Sequence, residues 1–206
     1  MTRAFLMTAA AAAALSLAAC NKPAAPAATE TAADAATAAN QPVNAAQDTV
    51  GAAVGQTSAA TLGSHDTGAF VSNASQSDMY EIQAGKLAET RSKNADVKAF
   101  AKMMVTDHTA MTNEMRPLIA AAGQKPADKL DERRQGFIDN LKQATDANFD
   151  KTYIDQQVAG HGEALTLMQG YAGDGSDAGL KAGAAKAVPK VRAHLDKAKS
   201  IQATLK

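Results

Sequence analysis

The sequence predicts an all-α protein, a four-helix bundle carried behind a long N-terminal extension. Three observations point there. Of 206 residues 46% are hydrophobic, yet there is no Trp and only three Tyr and five Phe, so the core must be built from Ala, Leu, Val, Ile and Met. These residues suit closely packed helices better than strands, which favour β-branched and aromatic side chains. Beyond residue 66 the apolar residues recur at helical spacing in four long segments. The length allows one domain of ordinary size plus extensions. Lys+Arg and Asp+Glu both number 21, for a formal charge of zero, and the two signs are interspersed, which leaves no basic footprint for nucleic acid.

The first element is a leader over residues 1–19. Arg3 supplies a short positive region, Ala4 to Ser16 form an apolar run too short to span a bilayer, and Leu17-Ala18-Ala19-Cys20 follows directly. This resembles the lipobox of bacterial lipoproteins, which implies lipidation of Cys20 and a membrane partner through that lipid. Cys20 is also the single cysteine, as suits an exported chain with no internal disulfide to make. Asn21 is not the acidic residue that inner-membrane retention would require, so the expected location is the outer membrane, facing the periplasm. Residues 20–65, rich in Ala, Pro and Thr, hold too little large apolar surface to offset their ordering entropy and are expected to form a disordered tether.

The domain is expected over 66–206. A first helix runs from near Thr67 to Arg91. A second has Asn94 as its N-cap, Asp96 in its first turn and Gly123 at its end. A third runs from near Asp146 to Gly173, and a fourth starts after the turn at Gly175 and Ser176. Between the second and third, a shorter helix is expected over about Asp128 to Lys142. Short links make the first and second helices one antiparallel hairpin and the third and fourth another. The middle link is long enough to return along the bundle, so the second and third helices should run parallel, as in ferritin-like folds.

One ligand-capable polar residue interrupts each apolar stripe. His108 sits among Met104, Met111 and Met115, His161 between Val158 and Leu165, and His194 between Val191 and Ala198, while Glu81 lies in the corresponding seam of the first helix. With a rise of about 1.5 Å per residue, His108 and His161 lie about 20 Å down the bundle and Glu81 and His194 about 15 Å, all near its middle.

The fragments FVSNASQSDMYEIQAGKLAE, ADVKAFAKMMVTDHTAMTNEM, NFDKTYIDQQVAGH and VPKVRAHLDKA, in that order over about Asp66 to Leu205, resemble the DUF4142 family of bacterial envelope proteins. The resemblance implies a ferritin-like bundle and brings no settled activity with it.

Di-iron carboxylate bundles pair Glu-x-x-His motifs with bridging glutamates. Here Val105 and Val191 stand three residues before His108 and His194, against that chemistry. Glu81, His108, His161 and His194 suit a single divalent ion, Zn, Fe, Cu or Ni, with Asp107 and Asp155 as acceptors behind the ligands. The competing reading is a hydrogen-bonded core network that fixes helix packing. Met103, Met104, Met111 and Met115 read as gap-filling core before they read as a thioether copper site. Pro117 and Pro189 fall inside helices, and His65 at the tether junction reads as solvated. There is no nucleophile elbow, phosphate-cradling glycine loop or thiol pair, so no catalytic residue is assigned. The sequence favours a non-enzymatic, membrane-tethered envelope module, with a periplasmic metal-binding or metal-dependent redox bundle as the alternative.

Overall fold

A computed structural model describes residues 32–61, 63 and 65–205, with side chains from residue 45 onward. Cys20 and the leader lie outside the described residues. Among the described residues six helices follow in order: α1 Ala32–Ala60, α2 Thr67–Arg91, α3 Ala95–Ala121, α4 Glu132–Gln143, α5 Asp146–Asp174 and α6 Ala178–Gln202. None of them is long and apolar enough to cross a membrane.

Short polar side chains start four of these helices by accepting bonds from backbone amides that have no partner within the helix. Asp66 accepts from Ala69, Asn94 from Asp96 and Val97, Asp131 from Arg134, and Asp177 from Leu180. Gly123, at φ 69°, ends α3 in the left-handed conformation that glycine adopts without a Cβ penalty. Pro117 and Pro189 lie inside α3 and α6.

Pairings across the bundle give the topology. Thr67 bonds Tyr171 and Tyr80 bonds Gln156, both at 2.8 Å, so α2 and α5 run antiparallel. Lys190 meets Asp107 and Lys186 meets Glu114, so α3 and α6 run antiparallel as well. With α2 and α3 forming one hairpin and α5 and α6 the other, α3 and α5 run parallel and α4 lies in the crossover between them, the ferritin-like arrangement.

The structure departs from the expected tether. Residues 32–60 are helical, and α1 packs against α4 and α5. Both oxygens of Asp48 are engaged, by Asn140 and Gln156 at 2.6 Å each. Gly51, Gly55 and Ala59 fall four residues apart and form the docking face. A Cβ on Gly51 would lie 2.8 Å from the Phe137 ring, and one on Gly55 would collide with the Glu163 carboxylate and the Arg133 guanidinium. Val50 and Val54 point outward, 64% and 58% exposed. This helix is held through close backbone approach, so a reading based on large apolar residues misses it. The crossover helix also starts later than expected, at Glu132, because Asp131 is its cap.

The core has two apolar halves. One gathers Phe70, Val71, Met115, Leu167, Tyr171 and Leu180 with their neighbours. The other gathers Phe100, Met104, Leu141, Phe149, Tyr153 and Ile154. A layer of buried polar side chains lies between them.

Candidate metal centre

Three helices each deliver one imidazole to that layer: α3 His108, α5 His161 and α6 His194, all 2% exposed or less. Their ring centroids lie 5.4 to 5.6 Å apart, and one nitrogen from each lies within 4.8 Å of the other two. The remaining nitrogen of each ring is fixed from outside. His108 Nδ1 donates to Asp78 Oδ1 at 2.8 Å across the α2–α3 hairpin, and Thr112 donates to the other oxygen of Asp78. His161 Nδ1 donates to the Gln157 carbonyl one turn earlier at 2.9 Å. His194 Nε2 donates to Asp107 Oδ2 at 2.8 Å, and Asp107 is also paired with Lys190. That leaves His108 Nε2, His161 Nε2 and His194 Nδ1 buried without a hydrogen-bond partner.

Residues 51–201 match a family described as "Domain of unknown function (DUF4142)". The chain belongs to the DUF4142 family. The match runs from the docked half of α1 to the last turn of α6. No curated protein and no solved structure matches the chain.

In this DUF4142 domain Glu81 stands beside the histidine trio, not within it. Its Oε1 lies 3.7 Å from His161 Nδ1, the outward nitrogen, close over the backbone of Gly160, where a Cβ would come within 3.3 Å. Its Oε2 is buried without a partner, as are the Tyr153 hydroxyl and the Gln157 amide atoms. Asp107 lies behind His194. Asp155 does not reach the layer: it bonds Lys151 and Gln202 on the surface. Asp78 takes the role expected of Asp155, and sequence reasoning missed it. Its signal is weak, the first of two acids in the run SQSDMYE, one turn before Glu81. Tyr80 reaches the Gln156 side chain, Met104 and Met111 lie in the two half-cores, and His65 is exposed.

Burial sets the electrostatics. It pushes the Glu81 carboxyl up to about 7, against the attraction of His108 and the nearby Gln157 amide, which faces it without hydrogen-bond geometry. Burial alone would lower His108, but the Asp78 bond and the charges of Glu81 and Asp78 outweigh it, and the net shift is upward. His161 is held well below the usual histidine range by burial and by repulsion from the other two rings. His194 is lowered by burial, with the Asp107 bond opposing.

These shifts have opposite signs in the pH dependence of the metal-free DUF4142 domain. A folded-state pKa below the unfolded value gives stability that is present above about pH 6.5 and lost on acidification, as for His161 and His194. A raised value gives stability that is full at low pH and lost as pH rises through the folded pKa, as for His108 and Glu81. The wild type should therefore show a shallow dependence between about pH 4.5 and 7, the interval between the unfolded and folded values of Glu81. Glu81→Gln removes one opposing contribution and should lose stability more steeply as pH falls across that interval. Thermal melts of the two metal-free proteins decide it, and parallel curves would contradict the assignment.

Proposed function

We propose that the domain is a non-enzymatic metal-binding module in which His108 Nε2, His161 Nε2 and His194 Nδ1 hold one divalent ion among Zn, Fe, Cu and Ni. One observation carries this reading: three buried rings close enough to share one ion each keep a nitrogen without a partner, while each ring's other nitrogen is fixed by an acceptor. A network serving only to set helix packing would close its own hydrogen bonds, because an unmet buried polar atom costs about 1–3 kcal/mol. An acceptor behind each ring is the arrangement that orients imidazoles for a metal. Zn–N bonds are about 2.0–2.1 Å, so binding would draw the nitrogens inward from their present separations. Three protein ligands leave a fourth position for water or an exogenous molecule, beside a carboxyl group in Glu81 that can take up a proton near neutrality. Holding an ion needs nothing beyond this donor set.

Tag-free protein dialysed against limiting metal should carry one ion per chain by elemental analysis. Asp78→Ala should weaken binding by about 10–100-fold through loss of His108 orientation. A chain that stays metal-free at equimolar zinc, copper, nickel and iron(II) would remove the proposal.

The lipobox-like run ending at Cys20 supports placing the module at the outer membrane, facing the periplasm. Cys20→Ser should then move the protein from the membrane to the soluble fraction. A wild type that never sediments with membranes would count against the anchor and leave the metal reading untouched.

A further inference from the structure

Below the histidine layer a second feature calls for a ligand. Between α2, α3, α5 and α6, and partly closed by Pro126 and Ala127 of the crossover, lies a cavity of about 370 Å³. That falls within the roughly 300–1,000 Å³ of small-molecule sites. Its walls are mostly aliphatic and unusually rich in sulfur. Six methionines follow residue 45, and four of them, Met79, Met111, Met115 and Met168, line this one space. Methionine's three rotatable bonds and polarisable thioether let such walls adapt to apolar chains of varied shape. Gly183 and Ala187 contribute little bulk on the α6 side, and a Cβ on Gly183 would already lie 2.8 Å from Leu118.

The cations around this space are not equally engaged. Arg116, Lys186 and Lys190 border it. Glu114 pairs with Lys186 and Asp107 with Lys190, and Arg116 carries no ion pair among the described residues. The buried acid of the wall, Asp78, is already engaged by His108 and Thr112, so it offers little to a cationic head. An apolar interior beneath Arg116, a cation with no ion pair among the described residues, fits an amphiphile with a negative end.

We propose that this cavity binds a medium-chain carboxylate, with the hydrocarbon among the four methionines and the carboxylate at the mouth beside Arg116 and Lys186. The inference rests on the cavity and its rim, and it stands whether or not the histidines hold an ion.

Calorimetric titration of the full chain with dodecanoate, kept below its micelle-forming concentration, tests it. Saturable one-to-one binding is expected, with dodecanol and dodecyltrimethylammonium binding at least about tenfold more weakly because they lack the charge that Arg116 meets. Ala187→Phe fills the space and should abolish binding, while a cooperative thermal melt of the same variant shows the fold kept. Arg116→Glu, at an exposed position, keeps the fold and should lower dodecanoate affinity by about tenfold while leaving dodecanol unchanged. Absence of saturable dodecanoate binding, equal affinity for the three head groups, or indifference to both substitutions would each overturn the proposal. Stoichiometric silver(I) binding that displaces dodecanoate and is lost in Met115→Leu would reassign the thioethers to a soft cation.

Discussion

His161→Leu is expected to abolish metal binding and, in the same stroke, to stabilise the metal-free protein by about 1–2 kcal/mol. His161 is 1% exposed, its Nε2 has no partner, and its ring is held well below the usual histidine pKa. Replacing a buried, unmet polar group by an apolar side chain of similar volume recovers part of its desolvation cost. The same change removes one of three ligands, and this should cost more affinity than the roughly 10–100-fold expected from an acceptor behind a ligand. Gain of stability with loss of binding marks a site kept for function at the expense of the fold. Urea titration and elemental analysis on one preparation separate the alternatives. A purely structural histidine would make the variant less stable and leave any metal content unchanged.

Glu163→Ala should be among the most destabilising single substitutions, at about 3–5 kcal/mol, because it strands buried guanidinium charge. Glu163 accepts two bonds from Arg133, at 2.8 and 2.9 Å, and one from Arg134 at 2.7 Å. The Arg134 side chain is 5% exposed. Burial already lowers its pKa, with the charge of Glu163 working the other way. Arg134 also reaches Asp131 and, more distantly at 3.4 Å, Asn73 of α2. The cluster thus ties the crossover to α5 and α2, and Gly55 of α1 rests against it. Replacing Glu163 and Arg134 together, as in Glu163→Leu with Arg134→Met, should recover part of the loss, since a buried ion pair gains little over a well-packed apolar pair, while Arg133, less buried than Arg134, still loses both its bonds to Glu163. Denaturant midpoints of the single and double variants decide it. A single-variant loss under about 1 kcal/mol would mean that water reaches the pair freely.

The bundle helices were legible because local chemistry and long-range packing agree on them. Asn94 and Gly123 mark the ends of α3 by capping, and the stripes of α2, α3, α5 and α6 carry the apolar spacing that bundle cores need. Each histidine interrupts such a stripe, which makes the trio legible in the sequence. What escaped had no such signature. α1 docks by what its glycines lack, and its Val50 and Val54 face away from the body. The acceptors behind the imidazoles were harder still: the Gln157 carbonyl is backbone and leaves no mark on residue type, and choosing Asp78 over Asp155 requires knowing which way each helix is turned. The family's own description carries no activity, so the reading of function rests on these side chains.

The trio occupies three corners of a square cross-section, and α2 stands at the fourth. That helix brings only acids, Asp78 engaged with His108 and Glu81 beside His161. An ion at the centre would be gripped from three sides and exchange its remaining partner on the fourth. Solvent reaching it on that side would pass these two carboxyl groups, so Asp78 and Glu81, more than the rings themselves, would govern how quickly the centre loads and empties.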